Sequence, residues 1–244
     1  MTALHLPSYP PFISHCTLQP LAEHPDIYLL DAHYDAAHFT ESLFTTLTIP
    51  APEHLQRAVK KRRAEYLASR YCLQQALTSW GIPSFLLRNT PDRAPIWPQG
   101  INGSLSHTHQ QVCALLTRRQ DWLLGVDCER IMTAQVAHET HSMLITAAEK
   151  ARLELSEVPF TTALTVAFSL KESLYKALYP QVLQFMDFSA AEVIQCSADL
   201  QHISLRLTQT ISGEMVVGRI FEGRAILQPD QVITWIIGPQ QRRD

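Results

Sequence analysis

"AFSLKESLYKAL", residues 167–178, combines an apolar helical pattern with three charged residues. The leucines recur at steps of four and a phenylalanine lies beside them, as on the apolar face of an amphipathic helix. They are Phe168, Leu170, Leu174 and Leu178. Ser169, Glu172 and Lys176 recur at steps of three and four along another side. The stretch therefore predicts a helix over roughly 161–178 that has both a core face and a polar stripe.

A second acidic element lies upstream, in "GVDCER", residues 125–130. If this segment is a strand, Asp127 and Glu129 project from one face and Cys128 from the other. Two adjacent carboxylates repel each other unless a cation lies between them, and hard oxygen ligands of this kind suit Mg²⁺. An isolated pair of this type is more often a solvated strand end, and Glu172 with Lys176 is commonly only a surface ion pair. The presence of both elements in one chain favours Mg²⁺-assisted phosphate chemistry over a solvated strand end and a surface ion pair.

Composition excludes several classes of protein. The chain has 244 residues, 46% of them hydrophobic, which is enough for one large domain or two smaller ones. The formal net charge of -3 gives no general attraction to nucleic acid or to an anionic membrane. Recognition of an anion must therefore depend on local clusters, such as the basic run at residues 60–63.

Cysteine usage and hydropathy indicate a cytoplasmic protein. The five cysteines are odd in number and form no C-x-x-C pair, which argues against a disulfide framework and a zinc site. No stretch approaches the ~18 apolar residues of a membrane span, and the N-terminus lacks the pattern of a signal peptide. We therefore expect no integral membrane segment and no processing.

Periodicity predicts the elements of the N-terminal part. The first fifty residues suggest a single strand, in "DIYLLDAHY" (26–34). An amphipathic helix is predicted from Glu53 to Trp80, with Gly81 and Pro83 as its stop signal. Residues 88–110 are rich in Pro, Gly, Asn and Ser and predict a loop.

The C-terminal part begins with two β-rich segments, 111–118 and 121–130. Thr146 and Glu149 form a capping-box pattern, which predicts the start of a helix. The opening helix follows, and the apolar segments beyond Pro180 predict a strand meander.

The two long helices resemble each other weakly. "SRYCLQQAL" (69–77) laid over "LKESLYKAL" (170–178) pairs Arg70 with Lys171 and aligns three apolar positions. Helical periodicity alone would produce much of this match. A duplicated helix-plus-sheet unit, joined near residues 118–125, is the alternative.

Two further groups of residues suggest anion binding. In "GSLSHT" (103–108) the backbone amides, the Ser106 hydroxyl and the His107 ring are suited to a phosphate, although a single His in a loop is more often merely solvated. Arg62 and Arg70 lie about 80° apart around the helix, given a step of about 100° per residue, so both can approach one polyanion. The alternative is that these cations only form the solvated face of the helix.

Taken together, "GSLSHT", "GVDCE" and "FSLKESLYK" resemble, in order and spacing, the Sfp-type 4′-phosphopantetheinyl transferases. "RRAEYLASR", "RAPIWPQGINGSLSH" and "ALTVAFSLKES" are similar to the enterobactin synthase component D branch of that family. The resemblance covers roughly residues 55–180. It implies transfer of the 4′-phosphopantetheine arm of coenzyme A onto a serine of an apo carrier protein, with release of adenosine 3′,5′-bisphosphate.

The resemblance also assigns roles to residues. Asp127, Glu129 and Glu172 would bind Mg²⁺, Glu172 would take the proton of the carrier serine, and Lys176 would steady the departing phosphate. A further group would contact the phosphates of coenzyme A: Arg62, Arg70, Arg93, Ser106, His107 and Lys171.

The implied fold is α+β, with two similar α/β halves related by a pseudo-twofold axis and coenzyme A between them. The expected halves are residues 1–122, which carry the phosphate-gripping helix and the Ser106–His107 segment, and residues 123–244, which carry the metal-binding strand and the catalytic helix. The expected partners are coenzyme A and apo peptidyl, aryl or acyl carrier proteins of siderophore or other nonribosomal peptide or polyketide biosynthesis. We expect a monomer that does not bind nucleic acid.

Two other functions remain as alternatives. The first is another Mg²⁺-dependent phosphate-transfer or hydrolytic enzyme acting on a nucleotide-like substrate, because paired carboxylates with a distant Glu occur in many such enzymes. The second is a carrier-binding scaffold without activity. Loss of Glu172 or Lys176 would favour the scaffold, and both residues are present.

Overall fold

The computed structural model describes residues 2–240 and divides the chain into two compact units. Unit 1 ends at Gln120, and unit 2 begins at Asp121. Each unit has its own hydrophobic core and its own five-stranded antiparallel sheet, against which one long helix packs. The predicted α+β class is confirmed. The predicted pseudo-twofold relation stays a prediction.

In unit 1 the sheet has the strand order β1-β2-β3-β7-β6, and β4 pairs with β5 in a separate hairpin. The bounds of its helices and strands are β1 Leu4–His5, β2 Ile13–Pro20, β3 Ile27–Tyr34, α1 Ser42–Thr46, α2 Lys60–Ser79, β4 Arg88–Asn89, β5 Pro95–Ile96, β6 Asn102–His107 and β7 Gln111–Thr117. The first fifty residues thus contain three strands rather than the one predicted. Sequence pattern identified β3 alone, because β2 mixes polar and apolar residues without strict alternation.

Helix α2 starts later than predicted. Residues Glu53–Leu55 form a 3₁₀ turn, and the α-helix begins only at Lys60. Its buried residues include Leu67, Leu73 and Leu77, which pack into the core of unit 1. Gly81, at φ +82°, follows the end of the helix in a left-handed conformation that glycine adopts at little cost. The predicted stop at this glycine agrees with the structure.

The segment around Ser106 is a strand and not the predicted loop. Residues 102–107 form β6, which pairs antiparallel with β7 along its whole length. The small and polar letters of "NGSLSH" have low strand propensity, yet β7 supplies the partners for their backbone N–H and C=O groups. Pairing with the next strand therefore overrides the local signal.

In unit 2 the sheet has the strand order β8-β12-β11-β10-β9. The bounds of its helices and strands are β8 Trp122–Arg130, α3 Ala134–Leu144, α4 Ala147–Leu153, α5 Phe160–Val182, β9 Ala191–Cys196, β10 His202–Leu207, β11 Ile220–Leu227 and β12 Gln231–Pro239. The predicted meander after residue 180 is confirmed, since β9 to β12 are consecutive neighbours. The segment "MVVGRIF" (215–221) was predicted as a strand, but β11 starts at Ile220, so residues 215–219 precede it.

Helix boundaries in unit 2 agree only partly with the sequence pattern. The capping box is confirmed: the Thr146 hydroxyl accepts from the Glu149 amide, and the Glu149 carboxylate accepts from the Thr146 amide. Helix α3 was not predicted. Helix α5 continues through Pro180 to Val182 and ends at Leu183, which is left-handed at φ 48°. A proline in a helix interior is normally a stop signal, so the sequence underestimates this helix by about one turn.

Helix α5 lies directly on strand β8 at Gly125. An added Cβ there would stand 1.8 Å from the Ser173 carbonyl oxygen and 2.7 Å from the Ala177 nitrogen. Only a residue without a side chain permits this approach of two backbones. The contact sets the height of α5 over the end of β8 and so determines which helix residues face Asp127.

No helix among residues 2–240 combines the length and the apolar character needed to cross a bilayer.

Candidate active site

Asp127 and Lys176 form the centre of the site in unit 2. Asp127 lies near the end of β8 and is 3% exposed. Lys176 of α5 donates from its Nζ to Asp127 Oδ1 at 2.7 Å, and Ser169 Oγ donates to Asp127 Oδ2 at 2.7 Å. The polar stripe predicted on α5 therefore faces the acidic strand. Helix and strand meet here because α5 packs closely at Gly125, two residues before Asp127.

Two more carboxylates interact with this pair. Burial, with smaller contributions from the Asp127 and Glu172 charges, raises the pKa of Glu129 to about 7, against the opposing effect of the Lys176 ammonium. Burial also raises the pKa of Glu172, with a further increase from the Asp127 charge and an opposing effect of Lys176. The Asp127 charge therefore disfavours ionisation of both Glu129 and Glu172. The site has three acids and one lysine, an excess of negative charge.

The donor set is chemically suited to a hard divalent cation. Three carboxylates supply oxygen ligands of the kind that Mg²⁺ prefers, and a cation between them would relieve their repulsion. The Lys176 ammonium already stabilises one Asp127 oxygen in this way. Within residues 2–240, however, no three His, Cys, Asp or Glu side chains are gathered as a ready metal-binding cluster.

Lys171 has a different environment from the one predicted. Its side chain is 4% exposed, and its ammonium lies 2.9 Å from Glu149 Oε1. It also donates to the carbonyl oxygens of Leu144 at 2.9 Å and Phe188 at 3.0 Å. Burial lowers the pKa of Lys171, although Glu149 opposes this. These partners join α3, α4 and the turn after α5, which is at odds with the predicted phosphate contact.

In unit 1, Arg62 and His107 converge on one carboxylate. Arg62 donates to Glu65 Oε2 at 3.3 Å, and His107 Nδ1 lies 3.9 Å from the same oxygen. The Arg62 side chain is 51% exposed, whereas that of Glu65 is 11% exposed. The structure thus brings together two of the predicted phosphate-binding residues at the start of α2. Both present nitrogen donors near the surface.

Arg70 is turned toward the protein. Its guanidinium donates to the Leu87 carbonyl, the Ser69 hydroxyl and the Asn89 side chain. It also lies 4.6 Å from the centre of the Tyr66 ring. Burial is the main cause that lowers the pKa of Arg70. These contacts are at odds with the predicted phosphate contact and indicate that Arg70 holds the β4–β5 hairpin on α2.

Arg93 lies in that hairpin. It is exposed and has a left-handed backbone at φ 68°, and its carbonyl oxygen accepts from the Asn89 side chain at 2.6 Å. Arg70 therefore supports the Arg93 loop through Asn89. The predicted phosphate contact of Arg93 stays a prediction.

Ser106 and His107 are neighbours on β6, so their side chains point to opposite faces of the sheet. Ser106 pairs across with Cys113, and His107 pairs with Val112, which belongs to the core beneath α2. His107 is accordingly the one near Glu65. A single phosphate loop formed by both side chains, as predicted, is at odds with this alternation.

Sequence reasoning missed three residues of these sites. Glu65 lies three residues after Arg62, a spacing that signals a helical ion pair. Ser173 and Thr234 are buried at 0% exposure and belong to the hydrogen-bond network behind Asp127. Thr234 lies 107 residues after Asp127 in an ordinary apolar strand, so no local sequence pattern indicated that the two side chains meet.

Comparison with known proteins gives matches to two family models. Residues 51–117 match the 4′-phosphopantetheinyl transferase N-terminal domain, and residues 123–225 match the 4′-phosphopantetheinyl transferase superfamily. Enterobactin synthase component D of Salmonella typhimurium is 36% identical over 200 residues, which cover 80% of this chain and 79% of that protein. Its namesake from Escherichia coli strain K12 is 37% identical over 147 residues, or 59% of this chain and 67% of that protein. The 4′-phosphopantetheinyl transferase Npt of Nocardia iowensis is 27% identical over 218 residues, which cover 85% of this chain and 97% of that protein.

Proposed function

The chain belongs to the 4′-phosphopantetheinyl transferase superfamily, and from this premise we propose that it transfers the 4′-phosphopantetheine arm of coenzyme A onto a serine of an apo carrier protein. The serine oxygen forms a bond to the phosphorus that bears the arm. The bond from that phosphorus to the bridging pyrophosphate oxygen breaks, and adenosine 3′,5′-bisphosphate leaves. The alternative of a hydrolytic enzyme without a protein acceptor is not favoured.

The observation that carries the proposal is the arrangement of α5 over the end of β8. It brings Lys176 to 2.7 Å from Asp127 and sets Glu172 and Glu129 within electrostatic reach of that pair. This combination of acids and a cation suits a reaction in which charge moves onto a departing phosphate.

Glu172 is the proposed base for the carrier serine. Burial raises its pKa, and a carboxylate with a raised pKa accepts a proton more readily than one in water. The neighbouring Lys171 cannot serve as the base, because its ammonium contacts Glu149 and the Leu144 carbonyl oxygen. The serine proton is therefore assigned to Glu172.

Lys176 is the proposed partner of the departing phosphate. Its side chain is 27% exposed, so the ammonium can exchange Asp127 for a phosphate oxygen without leaving the surface. Asp127, Glu129 and Glu172 would hold Mg²⁺, which when bound supplies positive charge to the pyrophosphate. The excess negative charge of these three residues supports this assignment.

Arg62 and His107 are the proposed contacts to the phosphates of coenzyme A in unit 1, with His107 assigned to the 3′-phosphate. Their shared partner Glu65 orients both donors. Ser106 and Arg93 remain proposed members of this group. Lys171 and Arg70 are removed from it because their donors serve the fold.

Siderophore biosynthesis is the proposed setting, since several relatives are named enterobactin synthase component D. The expected acceptors are then carrier domains of nonribosomal peptide synthesis. All five cysteines are free, which fits a reducing compartment, and we assign the protein to the cytoplasm.

The test is to incubate the protein with coenzyme A, Mg²⁺ and a set of apo carrier proteins, and to measure carrier mass. The expected result is a mass increase of one phosphopantetheine group on one serine. Glu172→Gln is expected to remain folded and to lose transfer by at least about 100-fold, because an amide does not accept the serine proton.

Glu154→Gln is the matched control, since it makes the same change at an exposed acid of unit 2 and should leave transfer unchanged. Absence of any carrier modification by the wild-type protein contradicts the proposed function. Full activity of Glu172→Gln contradicts the assigned base.

A further inference from the structure

A series of hydrogen-bonded, buried hydroxyl groups ends at the Asp127 carboxylate. Ser169 Oγ lies 2.7 Å from Asp127 Oδ2, and Thr234 Oγ1 lies 2.8 Å from Ser169 Oγ. Ser173 Oγ lies 2.9 Å from Thr234 Oγ1 and 3.0 Å from the Thr234 carbonyl oxygen. All three hydroxyl residues are 0% exposed. We call Ser173, Thr234 and Ser169 the hydroxyl chain.

The direction of these hydrogen bonds follows from the number of hydrogens. A hydroxyl has one hydrogen to donate, and Ser169 donates its hydrogen to the Asp127 carboxylate. The bond between Ser169 and Thr234 must then be donated by Thr234. The Thr234 hydrogen is thereby used, so Ser173 must donate toward Thr234. Ser173 has the Thr234 carbonyl oxygen and the Thr234 hydroxyl oxygen as acceptors, and the hydrogens of Thr234 and Ser169 point toward Asp127.

We infer that Thr234 is a positioning residue for the transfer reaction, which orients the carboxylate of Asp127 through Ser169. An inference of this kind rests on the proposed function, in which Asp127 is part of the site. Hydrogen bonds arranged head to tail polarise one another, and the last donor is strengthened by those behind it. The hydroxyl chain therefore holds Oδ2 of Asp127 in place and directs Oδ1 toward Lys176.

Strand pairing explains why Thr234 is in this position. Thr234 of β12 is directly opposite Asp127 of β8, so the two side chains share one face of the sheet. Helix α5 covers this face and inserts Ser169 and Ser173, one helical turn apart, on either side of Thr234. Thr234 lies beyond residue 225, where the match to the superfamily model ends.

The proposed experiment replaces the Thr234 hydroxyl with a methyl group, in Thr234→Val. Partners that orient a ligand carboxylate typically change metal affinity or activity by about 10–100-fold when removed. We expect Mn²⁺ binding, measured by electron paramagnetic resonance without turnover, to weaken by about that factor. We expect kcat for carrier modification to fall, with KM for the carrier protein unchanged.

Two further variants separate positioning from general loss of structure. Thr234→Ser keeps the hydroxyl and should restore Mn²⁺ affinity and kcat to near the wild-type values. Thr165→Val on α5 is the matched control. The Thr165 hydroxyl is buried like that of Thr234, but it bonds only to backbone groups, the Thr161 carbonyl oxygen and the Met132 amide. This variant should lower the thermal midpoint and leave Mn²⁺ affinity unchanged.

Wild-type Mn²⁺ affinity and kcat in Thr234→Val would overturn the inference while leaving the proposed function intact. Equal losses in Thr234→Ser and Thr234→Val would also overturn it, because the hydroxyl would then not be the active feature. If Thr234→Val fails to fold, the Thr234→Ala variant decides the matter, since it removes the same hydroxyl without adding a methyl group in its place. An unchanged Mn²⁺ affinity in Thr234→Ala would then refute the inference. Failure of the wild-type protein to modify any carrier would instead contradict the proposed function.

Discussion

At the residue scale, identical side chains have opposite roles in this protein. Lys171 and Lys176 lie five residues apart on α5, yet Lys171 is buried against Glu149 and Lys176 is part of the site. Arg62 and Arg70 on α2 differ in the same way. The difference arises from which face of the helix each residue occupies, because a cation on the packed face must be satisfied by protein groups.

Arg62 gives a first prediction at this scale. Arg62→Ala removes one charged donor to the phosphates and should raise the coenzyme A dissociation constant by about 10–100-fold, the equivalent of a charged hydrogen bond. Isothermal titration with coenzyme A measures this, and the Mg²⁺ requirement for transfer should not change. Lys61→Ala, which removes an exposed charge at the adjacent position, is the control. Equal affinities for wild type and Arg62→Ala would exclude Arg62 from the binding site.

Glu129 gives a prediction about pH. Its pKa rises from an ordinary 4.5 to about 7 in the folded protein, so the folded state binds the proton more tightly than the unfolded state. Below about pH 4.5 the Glu129 carboxyl is protonated in both states and does not affect stability. Above about pH 7 it is ionised in both states and destabilises the fold by its full amount. With Mg²⁺ chelated, Glu129→Gln should be about 1–2 kcal/mol more stable than wild type at pH 8, allowing for solvent screening of a half-buried group.

The same substitution should have little effect on stability near pH 4.5, and Glu139→Gln, at an exposed position of α3, should have little effect at either pH. Urea denaturation at the two pH values makes the comparison. A stability difference that is independent of pH would contradict the assigned burial of Glu129.

At the element scale, the position of α5 relative to β8 decides the site. The approach at Gly125 places successive turns of α5 over Asp127, and the hydroxyl chain fills the space between helix and sheet. Lys171 fixes the other side of the helix to α3 and α4. The proposed catalytic residues are thus positioned by packing of the helix on the strand.

Gly125→Ala tests this packing. The added methyl group would overlap the Ser173 carbonyl oxygen at 1.8 Å, and backbone cannot give way as a side chain does. We expect a loss of stability of about 1–3 kcal/mol or more, as for overpacked cores, together with loss of transfer. Gly238→Ala on β12 is the control, because no atom lies within 4 Å of its added Cβ. Similar denaturation midpoints for the two variants would show that α5 does not depend on Gly125.

At the scale of the whole molecule, each unit has a separate core and a different chain connectivity. Unit 1 places three strands of its main sheet before α2 and two after it, whereas unit 2 places one strand before α5 and four after it. The weak likeness between α2 and α5 therefore does not extend to the order of strands. Both units nevertheless present their candidate residues from one long helix and one strand of the sheet.

Thiol reactivity tests the burial of both cores together. Cys16, Cys72, Cys113 and Cys128 are buried, and Cys196 is partly exposed. In native protein we expect Ellman's reagent to modify Cys196 alone, while all five thiols react in denaturant. Burial raises the pKa of the Cys196 thiol, so even this reaction should be slow at neutral pH. Rapid reaction of two or more thiols in the native state would contradict the described cores.

The sequence alone determined the two long helices, the capping box at Thr146 and the C-terminal meander, because helical periodicity, capping and strand patterns are local. It also named the acids and the lysine of the candidate site, which stay a prediction. It also carried the family resemblance. Tertiary structure alone decided that residues 102–107 pair as a strand, that α5 continues past Pro180, and that Arg70 and Lys171 serve the fold. The contacts of the two cations join residues far apart in the sequence, 17 positions for Arg70 to Leu87 and 27 for Lys171 to Leu144. The identity of a charged residue does not show whether its side chain contacts a ligand or a buried carbonyl group, because tertiary packing determines that contact.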